Sequence, residues 1–406
     1  MPELPEVETV KETLKKLVLN KKSFLFGLLT GISLFLIFST NIFAFKSIIL
    51  SPNLKIGQIF SILDKYYVDD YDKEAAQDSM YYGLVDSLGD PYTSYMDKET
   101  FSSFMEQTEG AYVGIGTVVS IDKNDDSLII VAPYENSPAS KAGILPGDKI
   151  LSVGDIAASK NNYEEIIHKL KGNEGTAIKI KIFRPSENKN LEFDVIREKI
   201  NIPTVAHKIL DNNIGYIRIS NFDKNTYEQF KNAYAEISKS NLKSLIIDLR
   251  NNPGGLLDTV VKIADELVPK GCIVYTEDKA GNKNYSYSDD NYIKLPLAII
   301  VNQNSASASE VLSGAVKDLK RGVLVGEKTF GKGLVQNLFS LRDGSAVKVT
   351  IAKYYTPSGV CINGKGIEPD YQVSLPNELS VKIPILKPEQ DTQLQKAIEV
   401  LSQTNK

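Results

Sequence analysis

A multidomain α+β architecture is predicted for this 406-residue chain by three features of its sequence. An uncharged apolar run stands near the N-terminus, and short β-like runs surround one helical pattern over 104–198. From Ile214 onward strands alternate with helices, which argues for a parallel or mixed sheet covered by helices. With 42% hydrophobic and 24% charged residues, the composition excludes a disordered or fibrous chain. The 47 Lys and Arg against 51 Asp and Glu leave a net charge of −4, so there is no global basic field for a polyanion and nucleic acid is not expected as a partner. Two cysteines (Cys272, Cys361) and two histidines (His168, His207) are too few and too scattered for a structural zinc site. No metal or other cofactor is expected, and whether the cysteines pair is open.

The N-terminal elements come first. Phe24 to Phe45 is 22 residues without a charge, long enough to cross a bilayer as a helix. Its bulky C-terminal end lacks the small residues of a signal-cleavage site, so an uncleaved anchor is expected. Lys11, Lys15, Lys16, Lys21 and Lys22 crowd one flank against Lys46 on the other, which predicts a cytoplasmic segment 1–23. The rest then lies outside the cytoplasm, a single-pass protein of the cell membrane. The opening MPELPEVETV is similar to the start of formamidopyrimidine-DNA glycosylases, whose N-terminal proline, here Pro2, attacks a damaged nucleoside while the following glutamate, here Glu3, assists. The match ends within about a dozen residues and is followed by no pocket for a Schiff base and no four-cysteine finger. It reads as a fused or misplaced start, with glycosylase activity a remote alternative.

After the anchor, residues 46–103 are expected to form a helical subdomain, with Ile56, Ile59, Phe60 and Leu63 at helical spacing and GDPYTSYM at its end. Residues 104–198 read as a β-rich module, 199–380 as an α/β core and 381–406 as a C-terminal amphipathic helix. That helix sets Leu394, Ile398 and Leu401 on one face, to pack on the core or on a second subunit.

Within the β-rich module, NSPASKAGILPGDKILSVGDI and YVGIGTVV resemble PDZ domains, the second matching their carboxylate-binding loop. The physics suits a peptide reader: Gly114 and Gly116 let successive N–H groups converge on a terminal carboxylate, while the next strand offers its edge to an extended peptide. Tyr112, Val113, Gly114, Ile115 and Gly116 are thus the expected peptide-binding residues. Related peptidase modules tend to carry arginine where this chain has Lys171, which lacks the planar fork.

Three segments of the core bear on chemistry. In VNQNSASASEVLSGAVKDL a strand passes through a serine-rich turn into a helix, a geometry that can aim a hydroxyl into a cleft and helix N–H groups at an oxyanion. Ser307 to Glu310 also fits a capping box, so taken alone this segment fits a cap and a nucleophile equally. TFGKGLVQ supplies Lys332 between two glycines. With so few histidines, a lysine becomes the natural base, provided burial lowers its pKa from about 10.4 towards 7. A phosphate loop over Gly326–Lys332 fails, because Gly333 replaces the required hydroxyl and no helix pattern follows. SLIIDLRNNPGGLLDTV offers Gly254 or Gly255 to present an N–H to an oxyanion beside that of Ala308.

With SASASE, TFGKGLVQ, DLRNNPGG, YYTPSG and GIEPD arranged around a PDZ-like module, the chain from about 89 to 374 resembles the carboxyl-terminal processing peptidases, or tail-specific proteases. The resemblance implies Ser307 as nucleophile, Lys332 as general base and Gln336 as the residue orienting the lysine. It also implies an α/β core related to crotonase-like spirals, and helical ends that often mediate dimerisation, so a homodimer is a further expectation. The function implied is a membrane-anchored serine endopeptidase that captures C-terminal tails of proteins through the PDZ module. The alternative is a catalytically inactive PDZ scaffold.

Overall fold

The computed structural model describes residues 52–380 and 382–404, together with Glu12, Lys15 and Lys16. The expected membrane segment Phe24–Phe45 and the glycosylase-like Pro2 and Glu3 lie outside these residues. Among the described residues no helix is long and apolar enough to cross a membrane. The chain divides into two compact units, up to Gln77 and from Asp78 onward.

In the first unit, helix α1 (Pro52–Tyr66) half-buries Ile56, Phe60 and Leu63 but leaves Ile59 exposed. Asp64 at its end accepts from the Tyr71 hydroxyl at 2.6 Å and the Lys73 ammonium at 2.7 Å. Helix α2 (Lys73–Asp86) follows. The unit boundary falls inside the helical subdomain expected over 46–103, because strand β1 (Ser94–Met96) of the GDPYTSYM stretch is paired into a core sheet described below.

Helix α3 (Lys98–Glu109) starts where the Asp97 carboxylate accepts the Thr100 N–H at 2.8 Å and stops at Gly110, whose φ of +65° is left-handed. The β-rich module comprises β2 (Ala111–Gly114), β3 (Thr117–Ile121), β4 (Leu128–Pro133), α4 (Pro138–Ala142), β5 (Lys149–Val153), β6 (Ile156–Ala157), α5 (Tyr163–Leu170), β7 (Ala177–Arg184), β8 (Lys189–Ile196) and β9 (Glu198–Asn201). Its antiparallel sheet runs β3-β4-β5-β7-β8, and β2 pairs with β9 apart from it. Alternation in β7 sends Ile180 and Ile182 inward and Lys179 and Lys181 outward, onto a core with Leu128, Ile130, Val153 and Ile166. Asp148 of the PGDKI turn is clamped by the Arg184 guanidinium through two bonds of 2.8 Å.

The core begins with β10 (Val205–Leu210), β11 (Ile214–Ile219), α6 (Thr226–Ile237), β12 (Ser244–Asp248), α7 (Leu257–Asp265), β13 (Gly271–Asp278), β14 (Lys283–Ser288) and β15 (Leu297–Val301). It continues through α8 (Ala308–Asp318), β16 (Val323–Gly326), β17 (Leu334–Ser340), β18 (Ala346–Tyr355), β19 (Tyr371–Gln372), α9 (Asn377–Ser380) and α10 (Thr392–Thr404). One sheet runs β10-β11-β12-β15-β16-β19 and is parallel from β11 onward, as the alternating pattern predicts. Every residue of β12 and β15 is buried, which is why the Leu245–Ile247 centre of β12 and all of LAIIV read as continuous apolar runs: a parallel sheet is covered on both faces. Helices α6, α7 and α8 cover one face. The other is covered by α10, whose Leu394, Ala397 and Leu401 pack on Ile246, Ala298 and Ile300, so the C-terminal helix sits on its own core. The second sheet runs β1-β18-β13-β14 with β17 on β18, and carries the GDPYTSYM stretch to the core.

Candidate active site

Between the end of β15 and the start of α8 the chain must reverse sharply, and Ser307 absorbs the turn with φ +54° and ψ −113°. An L residue resists this conformation, at a cost of about 1–3 kcal/mol. The surroundings impose it. Ser305 Oγ donates to the Leu249 carbonyl at 2.9 Å, Ser309 Oγ to the Asn252 carbonyl at 3.0 Å, and the Ala306 N–H to the same Asn252 carbonyl at 3.0 Å. Ser305 and Ser309 are fully buried by these duties, whereas Ser307 reaches the wall of a cavity of about 410 Å³. Ser307 is the one serine of SASAS on that wall, and the capping-box bond it makes is from its backbone N–H to the Glu310 carboxylate at 2.9 Å.

Lys332 lines the same cavity. After it the chain enters β17, where a phosphate loop would enter a helix. Gly331 and Gly333 allow a close approach of the 363–366 backbone: a Cβ on Gly333 would meet the Asn363 N at 2.5 Å. The resulting burial, and after it the Lys348 ammonium, hold Lys332 below the ordinary lysine value, with Asp90 and Glu310 pulling the other way. Its ammonium lies 4.6 Å from the centre of the Tyr92 ring. No hydrogen bond links the Lys332 ammonium to Ser307 or Gln336 among the described residues. Gln336, beside a bulge in β17, lines the cavity and donates to Thr350 Oγ1 at 3.5 Å. Neither His168 nor His207 is near: His207 faces Glu236 at 3.3 Å on β10, and His168 lies on α5.

Of the expected oxyanion donors, the Gly254 N–H is already given to Asn252 Oδ1 at 2.8 Å, so Gly254 serves the turn rather than the cavity. Gly255 and Ala308 both line the cavity. As the first residue of α8, Ala308 has an N–H with no partner inside the helix. Gly255 has to be glycine, since a Cβ there would meet the Phe222 carbonyl oxygen at 2.2 Å at a φ of +138°.

Three participants escape sequence reasoning. Glu310 is fully buried, and its carboxylate accepts Thr329 Oγ1 at 2.6 Å, the Gly331 N–H at 2.7 Å, the Lys332 N–H at 2.8 Å and the Ser307 N–H at 2.9 Å. The capping-box spacing found its bond to Ser307 but not its reach across to Lys332. Tyr354 is 3% exposed and donates its hydroxyl to the Lys332 carbonyl beside the Ser307 side chain. Burial, then Glu310, hold its hydroxyl far above the usual tyrosine range, so it stays protonated. Asp90 is the third. Burial opposes its charge, yet hydrogen bonds from Thr350, Thr93 and the Tyr92 N–H hold its carboxyl below the usual range, near Lys332.

A second cavity, of about 380 Å³, lies between β3 and α5. Of the five expected peptide-binding residues Tyr112 and Ile115 line it, with Thr117, Val119, Ile167 and Lys171, while Val113, Gly114 and Gly116 are not on its wall. Gly116, at φ +76°, leaves no room for a Cβ, which would meet Ser137 Cβ at 2.5 Å. The Ile115 and Gly116 carbonyls accept the Ala139 and Tyr134 N–H groups at 2.9 and 2.8 Å. Lys171 bonds Glu106 of α3 at 2.5 Å and lies over the Tyr112 ring. No cluster of three or more His, Cys, Asp or Glu that could hold a metal ion occurs among the described residues.

Comparison with known proteins decides the family. The chain is 35% identical over 331 residues to carboxy-terminal processing protease CtpB of Bacillus subtilis strain 168, an alignment covering 80% of this chain and 68% of that one. The chain belongs to peptidase family S41. The description "Peptidase family S41" matches residues 213–373, "PDZ domain" matches 129–184, and "Activating protease CtpB N-terminal domain" matches 46–100. This S41 peptidase is also 36% identical over 333 residues to the "Probable CtpA-like serine protease" of Staphylococcus aureus strain COL, covering 81% of this chain and 66% of that one. It therefore spans about two-thirds of the length of these relatives. A solved "Putative S41 protease" from Bacteroides fragilis NCTC 9343 shares the fold at 15% identity and a TM-score of 0.52, covering 84% of this chain and 93% of that one.

Proposed function

We propose that this S41 peptidase is an endopeptidase anchored by the apolar segment Phe24–Phe45, that its PDZ module captures C-terminal tails of proteins, and that Ser307 and Lys332 cleave them. The observation that carries the reading is one cavity wall shared by a serine on a strained strand-to-helix turn and a lysine whose charged form is disfavoured by burial. The lysine flank of Phe24–Phe45 supports an extracytoplasmic catalytic part.

In the reaction, neutral Lys332 leaves the Tyr92 ring for Ser307, and Gln336 steadies it. Ser307 Oγ attacks the scissile carbonyl as its proton passes to Lys332, and the N–H groups of Gly255 and Ala308 receive the oxyanion. The protonated lysine then gives its proton to the leaving amine. Water, activated by the same lysine, releases the acyl-enzyme. Tail capture uses the groove between β3 and α5, where N–H groups of the loop ending at Gly116 meet the terminal carboxylate.

The test is a tail peptide supplied as free acid or C-terminal amide to the wild-type chain and its Ser307→Ala form. Cleavage of the free acid, weaker cleavage of the amide and none by Ser307→Ala are expected. Equal cleavage of both peptides removes the tail-capture role, and full activity of Ser307→Ala removes the nucleophile. The inactive-scaffold alternative requires that an active-serine phosphonate leave Ser307 unlabelled.

A further inference from the structure

Among the described residues lining the catalytic cavity, two side chains are charged, and both are lysines: Lys332 and Lys348. The rest of the wall is largely apolar, with Phe222, Leu256, Val311 and Leu338 among its residues. When Lys332 gives up its charge to act as base, the Lys348 ammonium is the fixed charge that remains. Lys348 sits on β18 opposite Leu338 of β17, and both line the cavity that Ser307 and Lys332 share. Its ammonium rests 5.5 Å from the centre of the Phe104 ring, a contact that holds a cation without neutralising it. No ion pair to Lys348 occurs among the described residues. The two carboxylates closest to the chemistry are already spent, Glu310 on its four donors and Asp90 on Thr93 at 2.6 Å and the Tyr92 N–H at 3.1 Å. A half-buried, unpaired ammonium facing an apolar cavity gains most from an incoming anion, since a charge-assisted hydrogen bond is strong where water is scarce.

We propose that Lys348 is a specificity-determining residue that selects peptide segments carrying an acidic side chain near the scissile bond. The inference rests on the peptidase reading above and adds to it the chemistry of the preferred substrate. It concerns the cleaved segment, not the chain terminus, which the PDZ groove addresses.

The experiment uses the full chain and a set of peptides with one common tail, each carrying Glu or Gln at one of the four positions on either side of the cleaved bond. In the wild type, kcat/KM for the Glu peptide should exceed that for its Gln twin by about tenfold or more at one or two positions, since tenfold corresponds to about 1.4 kcal/mol, within reach of one such bond. Lys348→Met should bring the ratio to about one, and Lys348→Glu should invert it. If a Lys348 variant turns over too slowly, competition of the same peptides against phosphonate labelling of Ser307 reads the same discrimination. A wild-type ratio within about twofold at every position overturns the proposal, as does an acidic preference that survives in Lys348→Met. Should Lys348→Met instead lose discrimination between free-acid and amidated tails, Lys348 reads the terminus and the side-chain assignment is wrong. Failure of the peptidase reading looks different: no peptide is cleaved and Ser307 is not labelled, and the inference falls with it.

Discussion

The backbone N–H groups of Ser307 and Lys332 converge on a single oxygen, Oε2 of Glu310, at 2.9 and 2.8 Å. The proposed nucleophile and base, 25 residues apart in sequence, are thereby spaced by one buried carboxylate whose other oxygen holds Thr329 and Gly331. Glu310→Gln keeps the shape but turns one of the two acceptor oxygens into an NH2 group. Two N–H donors then face a donor, each unmet group costing about 1–3 kcal/mol. The variant should melt lower and lose kcat more than it changes KM, by about tenfold or more, measurable with a tail peptide. Unchanged kcat would show that the shared oxygen does not set the spacing.

Ser307 carries strain that glycine would not. Ser307→Ala keeps a Cβ at φ +54° and the N–H bond to Glu310, so the strain remains. Ser307→Gly keeps the same bond and relieves the backbone, so it should unfold at higher denaturant than the Ala variant, by about 1–2 kcal/mol, while both are inactive. Equal midpoints in a urea titration would mean that the turn stores no strain.

How far these features can be read from residues alone depends on the range of the interaction. The place of Ser307 on its turn was legible because strand, serine-rich turn and helix are consecutive, and the β7 alternation and the apolar runs of β12 and β15 encode their own burial. Glu310 was legible only as a cap, since its bonds to Gly331 and Lys332 cross 21 and 22 residues of sequence. Tyr92 reaches Lys332 only because β1 pairs with β18, a register that no local pattern specifies. Gly254 and Gly255 are indistinguishable as letters, and only the Asn252 side chain shows which N–H is consumed. The C-terminal helix offered an apolar face without naming its partner. Besides that apolar packing, Arg250 ties the start of the helix to the core through Asp391 and Gln393, and a buried cation is invisible to hydrophobic periodicity.

That cation is the next prediction. Arg250 is fully buried and bonds Asp248, from which Nη2 lies 2.6 Å, and Asp391 just before α10 at 2.8 Å through each of two nitrogens. Asp391→Ala takes two of the six hydrogen bonds from a buried guanidinium that keeps only Asp248 and Gln393, a loss of about 3–5 kcal/mol. Arg250 also stands two residues before Asn252, whose side chain orders Gly254. The variant should therefore lose thermal stability and slow acylation together, and hydrogen exchange should rise first in α10. Wild-type melting in Asp391→Ala would contradict this.

The most direct test is the rate at which a phosphonate labels Ser307 as a function of pH, in the wild-type chain and in Lys332→Arg. Below the pKa of Lys332 the ammonium holds its proton and cannot accept another. Burial and the Lys348 charge favour the neutral form, so labelling of the wild type should rise with pH through a midpoint below the ordinary lysine value of 10.5. Arginine keeps the charge and similar reach but stays protonated to about pH 12, so Lys332→Arg should fold, bind tail peptides and remain unlabelled across the range. Labelling of Lys332→Arg at a near-normal rate with the same pH profile would show that another group takes the Ser307 proton, and would contradict the assignment of Lys332 as the base.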